Sequence, residues 1–134
     1  MPEALPVTAR RAYDALNRRD LDAFLELLDP EVEFDSLVAE AEGTMFRGHD
    51  GARKWWDEVV YSLGGIHFEP VEITEVADAA VLVKVRASGE AAGVTVEQVM
   101  WQVSLSDPEG RVLWWHVSRT RDESLEALAA RRAG

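Results

Sequence analysis

The sequence predicts an α+β domain with helices packed on one face of a curved antiparallel sheet. Apolar residues recur at helical spacing in the first third of the chain, whereas the second half shows the alternation and turn residues of a strand meander. Helices first and strands last favour separate layers over a parallel α/β arrangement. With 134 residues, 47% of them hydrophobic, the chain has the size of one domain, which we place at residues 1–134.

Three helices are predicted ahead of the main strands. Thr8 is expected to cap the first helix and Asp20 the second, whose apolar stripe ends at Asp29-Pro30. The third helix follows a glycine-punctuated turn, with Asp50 as its cap and two tryptophans on its apolar face. Gly64-Gly65 is expected to end it.

Five strands and a short C-terminal helix complete the predicted fold. Pro70 indicates that the second strand lies at an edge or contains a bulge. Asp122 is expected to cap the final helix, which carries Leu125 and Leu128. The predicted strands cover residues 32–36, 66–76, 81–86, 94–105 and 111–120.

Charge and composition argue against several kinds of partner. A formal net charge of −11 repels a phosphate backbone and an anionic membrane surface, so we expect neither nucleic acid nor a membrane as partner. The chain has no cysteine, which excludes disulfides and thiol catalysis, and its three histidines are too scattered for a metal cluster. We expect a cytoplasmic protein without metal or cofactor.

The last two strands are placed by parity, because residues directly opposite each other lie on the same face of a sheet. The odd-numbered residues of the first strand are the more apolar set and are expected to face the helices. The predicted pairs are Val103 with Leu113, Trp101 with Trp115, Val99 with Val117, and Glu97 with Arg119. The Glu97–Arg119 pair is either a polar anchor at a pocket mouth or an ion pair at a solvent-exposed rim, and we favour the rim.

The opposite face of this hairpin is predicted to carry Met100, Gln102, Trp114 and His116. Exposed Trp and Met are typical of homodimer interfaces, where aromatic residues and Met are enriched. A scattered exposed aromatic residue is the alternative. We favour a homodimer through this face.

Several segments of the chain resemble one family. The run Phe46–Gly51, followed by Trp55-Trp56, is similar to the loop-helix signature of SnoaL-like polyketide-cyclase domains, which belong to the nuclear transport factor 2-like superfamily. Similar segments recur along nearly the whole chain, at Asp20–Asp22, Asp29–Phe34, Phe68–Ile73, Gly110–Val112 and Arg121–Leu125. The resemblance implies a cone-shaped sheet (nuclear transport factor 2-like, also called cystatin-like) around a central cavity, often in a homodimer.

Within such a cone we expect a pocket for a small molecule. The residues expected to line it are Phe34, Trp56, Trp101, Trp115, Val117, Arg119 and His49. For the tryptophans the alternative is the core, and for His49 it is a local hydrogen bond within the turn. The superfamily contains enzymes and non-enzymes alike, so the resemblance does not decide between them.

The sequence departs from the enzymes of the superfamily at several positions. Val117 stands where limonene-epoxide hydrolases carry one of two water-activating aspartates, and Ser118 and Thr120 stand where the family often has Tyr and Asp. The chain also lacks a full match to the base and oxyanion pair of ketosteroid isomerases. These departures favour binding without catalysis.

Asp35 and Glu97 are the candidate catalytic acids. Burial in an apolar cone would raise the pKa of Asp35 and suit it to general-base work, but if Val32 and Phe34 face inward, Asp35 faces solvent. We therefore predict a protein that binds a small, mostly apolar ligand. The alternative is an acid–base enzyme of isomerase, cyclase or dehydratase type, acting on a polyketide-like or steroid-like substrate.

Overall fold

A computed structural model of the protein describes residues 5–35, 46–60, 66–91 and 93–133. These residues form α1 (Leu5–Arg18), α2 (Leu21–Glu26), β1 (Leu28–Asp35), β2 (Phe46–Arg47), α3 (Gly48–Trp55), β3 (His67–Ala77), β4 (Ala80–Ala91), β5 (Val94–Ser106), β6 (Val112–Ser118) and α4 (Arg121–Ala133). A π-helical turn, Trp56–Val60, extends α3. The predicted helix end at Gly64-Gly65 lies outside the described residues. No helix in the described ranges is long and apolar enough to cross a bilayer.

The strands form one curved, unclosed sheet in the order β2-β1-β6-β5-β4-β3. β1 runs parallel to β6, and all other neighbours are antiparallel. The α+β prediction is confirmed, but the sheet is mixed because β1 enters beside the last strand of the meander. Pro70 lies in the edge strand β3 next to a register shift, as its missing N–H predicts.

Both faces of the sheet are covered, and each carries its own apolar cluster. We call the side packed by α1, α2 and α3 the inner face and the side packed by α4 the outer face. The inner cluster contains Tyr13, Ala15, Leu16, Phe24, Leu25, Leu28, Val32, Phe34, Phe46, Ala52, Trp56, Val81, Val83, Val85 and Trp115. The outer cluster contains Ala80, Leu82, Val103, Trp114 and Leu128.

The register of the β5–β6 hairpin differs from the predicted one. Trp101 lies opposite Ser118, and Gln102 lies opposite Val117. This register reverses the face of every β5 residue, so that Gln102 belongs to the inner face and Trp101 to the outer face. The prediction was wrong because α4 buries the outer face, so the more apolar set of residues does not mark the inner one.

The helix starts are set by fewer side-chain caps than predicted. Asp20 does cap α2, since its carboxylate accepts a hydrogen bond from the Ala23 N–H at 3.1 Å. Thr8 lies inside α1 and Asp50 inside α3, so neither residue is a cap. At α4 the cap is the Thr120 hydroxyl, which accepts from the Glu123 N–H at 3.1 Å, in place of Asp122.

Two glycines allow α3 to approach β1 and β2 closely. Gly48 has φ of 67°, and a Cβ there would lie 3.3 Å from the carbonyl oxygen of Pro30. A Cβ on Gly51 would lie 3.2 Å from the backbone carbon of Phe46. The glycine-punctuated run therefore fixes how α3 sits against the sheet, which in turn positions Trp55 and Trp56.

Candidate functional site

A cavity of about 100 Å³ lies on the inner face, between the sheet and the helices. Three of its lining side chains, Tyr13, Gln102 and Ser104, are polar apart from the indoles. The remaining lining is apolar or aromatic and comprises Ala9, Ala12, Leu16, Phe24, Leu28, Trp55, Phe68, Val83, Val85, Met100, Val112, Trp115 and Val117. The space is several times larger than a single water needs.

Helical and strand periodicity together bring these side chains to one place. The α1 residues that line the cavity have helical spacing, from Ala9 through Ala12 and Tyr13 to Leu16. On the strands, alternate residues contribute: Val83 lies opposite Gln102, and Gln102 lies opposite Val117. Three adjacent strands thus form the floor, and α1 forms the roof.

One wall of the cavity is a cluster of aromatic rings. The Trp55 ring stacks on Phe24 at 5.9 Å and meets the edge of Trp115 at 5.8 Å between ring centroids. Behind this wall, Phe34 stacks on Trp115 at 3.8 Å. Such pairs contribute beyond their buried area and hold each ring in a fixed orientation.

Tyr13 and Gln102 make a hydrogen bond across the cavity. The Tyr13 hydroxyl donates to Oε1 of Gln102, which joins α1 to β5. Burial raises the pKa of Tyr13 above that of an ordinary tyrosine, because the surroundings disfavour the phenolate. The phenol is therefore a neutral donor at physiological pH.

Trp55, which also lines the cavity, carries a further polar atom. Its indole Nε1 is buried and has no hydrogen-bond partner within the described part of the chain. Most buried polar groups in proteins are paired, and an unpaired one costs about 1–3 kcal/mol. The indole N–H of Trp55 can therefore donate a hydrogen bond to a bound molecule.

The predicted pocket residues divide between three places. Trp115 and Val117 border the cavity. Phe34 and Trp56 are buried in the inner cluster without bordering it. Trp101 lies on the outer face, with the Lys84 ammonium 5.8 Å from its ring, because the hairpin register differs from the predicted one.

The predicted Glu97–Arg119 pair, for which we favoured a solvent-exposed rim over a pocket mouth, does not form. The Glu97 side chain is 70% exposed and lies 3.9 Å from the Arg86 guanidinium, on the outer face. Arg119 follows β6 and is exposed. His49 is not among the residues that line the cavity, and its Nε2 lies 3.0 Å from the carbonyl oxygen of Leu28 in β1, 21 positions away. This contact joins α3 to the sheet and is not the hydrogen bond within the turn that was the alternative interpretation.

Asp35 is the last residue of β1, and its backbone lies beside His116 of β6. Its side chain is outside the described part of the structure, so its role stays a prediction. Among the side chains that are described, no three of His, Asp or Glu come close enough together to hold a metal ion.

The residues predicted to form a dimer interface do not share an exposed face. Met100 and Gln102 border the cavity on the inner face. Trp114 is buried beneath α4, with the Arg131 guanidinium 5.7 Å from its ring and the His116 ring 6.2 Å away. That interface was wrongly assigned, whereas the homodimer itself stays a prediction.

Sequence reasoning missed Gln102 and Ser104 as cavity residues because their polarity placed them on the face opposite the helices. A signal was present in β6, where Trp114 and Trp115 are adjacent. Consecutive strand residues point to opposite faces, so two neighbouring tryptophans require that both faces be covered. Polarity alone then no longer separates the inside of the sheet from the outside.

Comparison with known protein families gives a match over most of the chain. The family model described as SnoaL-like domain matches residues 9–117. No curated protein matches the chain significantly.

Three solved structures illustrate the structural likeness. An NTF2-like protein of unknown function from Burkholderia pseudomallei is 21% identical with a TM-score of 0.75, over 92% of this chain and 97% of that one. A putative polyketide cyclase from Sinorhizobium meliloti is 22% identical with a TM-score of 0.68, over 83% and 93%. RV0760c from Mycobacterium tuberculosis, in complex with estradiol-17beta-hemisuccinate, is 12% identical with a TM-score of 0.72, over 87% and 93%. At these identities the likeness establishes the fold.

Proposed function

This chain belongs to the SnoaL-like domain family, and we propose that its inner-face cavity binds a small, mostly apolar molecule. The observation that carries the proposal is the lining: thirteen of its sixteen residues are apolar or aromatic, and Tyr13, Gln102 and Ser104 are the polar remainder. Ligand sites in proteins are mostly apolar, with a few polar groups that fix orientation. The likeness to RV0760c, solved in complex with estradiol-17beta-hemisuccinate, supports a ring-bearing and largely apolar occupant.

The proposed ligand is neutral. Within the described lining no side chain is Asp, Glu, Lys, Arg or His. An ion that enters such a site loses its hydration without gaining a counter-charge, which is costly. The net charge of −11 adds a further penalty for an anion.

Titration calorimetry with acetophenone, a neutral ring that carries one carbonyl, tests the proposal. We expect wild type to bind it with a Kd below about 1 mM, within the range for a fragment of this size. Benzoate, of similar size but charged, should bind at least ~10-fold more weakly. If wild type binds neither probe, the proposed function is overturned.

A cavity-filling variant locates the binding. Ala12→Phe places a ring between α1 and the sheet and should weaken acetophenone binding at least ~10-fold. Ala129→Phe, at an exposed position of α4, is the matched control and should leave the affinity unchanged. Equal affinities in the two variants would place the binding elsewhere.

The alternative function is an acid–base enzyme for a polyketide-like or steroid-like substrate, and the likeness to a putative polyketide cyclase favours it. Of the two candidate acids, Glu97 is 70% exposed beside Arg86, which leaves Asp35 as the candidate base. Exchange of the acetophenone methyl protons in D₂O, followed by NMR, separates the functions. The binding proposal expects no exchange above buffer, and exchange that Asp35→Asn abolishes would establish the enzyme.

A cytoplasmic location and a homodimer also stay proposals. The part of the outer face near β5 offers Val99, whose exposure is 42%, as an apolar contact. Analytical ultracentrifugation at micromolar concentration tests the dimer, and a mass equal to one chain would contradict it.

A further inference from the structure

The indole N–H of Trp55 is the buried polar group that the fold leaves without a partner. Across the described residues, no other buried side-chain nitrogen or oxygen is unpaired. The buried hydroxyls of Ser118 and Ser124, for comparison, lie 2.6 Å apart, and Ser118 also donates to the Thr120 carbonyl at 2.8 Å. Trp55 also lines the cavity, so the unpaired donor belongs to a cavity residue.

The Trp55 ring is held in place by its neighbours. It stacks on Phe24 and presents an edge to Phe34 at 5.7 Å and to Trp115 at 5.8 Å. One helical turn before it, Ala52 is completely buried, which anchors α3 against the core. These ring contacts hold the indole beside the cavity that Trp55 lines, so an occupant of the cavity is a source of an acceptor for its N–H.

The occupant must supply an acceptor. An indole N–H only donates, and no acceptor in the described part of the chain pairs with it. Oε1 of Gln102, a polar atom of the lining, accepts from Tyr13. A buried water needs two to four polar partners, and the mostly apolar lining offers few. An oxygen on an otherwise apolar molecule satisfies the indole and also fills the space.

We propose that Trp55 is a specificity-determining residue whose Nε1–H donates a hydrogen bond to an acceptor oxygen of the ligand. The proposal rests on the proposed ligand-binding function and adds the chemical class of the ligand: a neutral, ring-bearing molecule with a carbonyl or ether oxygen. The site then selects such molecules over hydrocarbons of the same shape. An anionic acceptor is disfavoured, because no cationic side chain lines the described part of the cavity.

A matched pair of probes isolates the hydrogen bond. Acetophenone and α-methylstyrene have the same shape, but a CH₂ group replaces the oxygen in the second. Their Kd values are measured by calorimetry for wild type and Trp55→Phe, and the quantity of interest is the ratio of the two Kd values. This ratio cancels the packing change that both probes experience.

We expect Trp55→Phe to weaken acetophenone relative to α-methylstyrene by about three- to tenfold, the value of one hydrogen bond. Trp101→Phe, an outer-face tryptophan, is the control and should leave the ratio unchanged. If both probes bind wild type and Trp55→Phe does not change the ratio, the inference is overturned and the proposed function stands. If neither probe binds wild type, the proposed function fails, and the inference fails with it.

A second variant keeps the test decisive if Trp55→Phe does not fold. Incorporation of β-(3-benzothienyl)alanine at position 55 preserves the size of the ring system and replaces the N–H with sulfur. In this variant we expect the same three- to tenfold loss of affinity for acetophenone relative to α-methylstyrene. An unchanged ratio in this variant would overturn the inference in the same way.

Discussion

The two faces of the sheet are built from the same strands but pack differently. On the outer face, α4 covers Trp114 and Val103, and the buried Ser118 and Ser124 hydroxyls pair with each other. On the inner face, a cavity separates α1 from the strands, and the Trp55 indole N–H has no partner in the described structure. The outer face is completed by the chain itself, whereas under the proposed function the inner face is completed by a ligand.

This difference predicts that substitutions on the outer face mainly change stability and that substitutions on the inner face mainly change ligand affinity. A closed, fully paired cluster gains nothing from a ligand, and substitutions there reduce the free energy of unfolding. An unpaired buried donor lowers the free energy of unfolding, and a ligand that binds the folded state raises it by mass action. Substitutions on the two faces should therefore separate stability from affinity.

The largest effect is expected from removal of an outer-face ring. Trp114→Ala should lower the free energy of unfolding by about 3–5 kcal/mol, because it empties the space under α4. Trp55→Ala should cost at least ~1 kcal/mol less, because it borders an existing cavity and removes an unpaired donor. Urea unfolding of both variants measures the difference, and equal costs would contradict the contrast between the faces.

A smaller effect is expected when an acid is placed in the cavity. Burial raises the folded-state pKa of a carboxyl introduced by Val117→Asp above its unfolded value near 4. The variant is then most stable at low pH and loses stability as the pH rises, with a deficit about 2 kcal/mol greater at pH 7 than at pH 4. Thermal unfolding of the variant and of wild type between pH 4 and pH 7 measures this stability deficit. Val71→Asp, at an exposed position of β3, is the control, and identical pH profiles would show that position 117 is open to solvent.

The smallest effect is expected from the Tyr13 hydroxyl. Tyr13→Phe removes the hydrogen bond to Gln102 and should cost about 1–2 kcal/mol. Because burial raises the pKa of Tyr13 in the folded state, the wild-type protein keeps this contribution below about pH 10 and loses it as the pH rises further. The free energy of unfolding, measured from pH 9 to pH 11, should decline more steeply in wild type than in Tyr13→Phe. Parallel declines would mean that the phenol ionises freely.

Much of the fold could be predicted from periodicity and turn residues. The α+β layers, the Asp20 cap and the edge position of Pro70 all depend on local chemistry, which the sequence contains directly. The register of the β5–β6 hairpin, in contrast, depends on which faces of the sheet are covered by helices. The cover comes from α4, whose packing on the outer face is a tertiary effect.

The site could be predicted less well than the fold. Trp115 and Val117 were placed among the pocket residues, but Gln102 was assigned to the wrong face and Tyr13 was not among the predicted pocket residues. A polar residue inside a sheet is stable only beside a partner, and the partner of Gln102 comes from α1, 89 positions away. No local pattern contains that pairing.

The most direct test of the central claim is a ¹H–¹⁵N NMR titration of the tryptophan side chains with acetophenone. The chain has five tryptophans, so five indole N–H signals report on both faces at once. We predict that the Trp55 signal moves downfield on binding, because its N–H gains an acceptor, while the Trp101 and Trp114 signals stay in place. A Trp55 signal that does not move at saturation, or a shift confined to Trp101 and Trp114, would contradict the account.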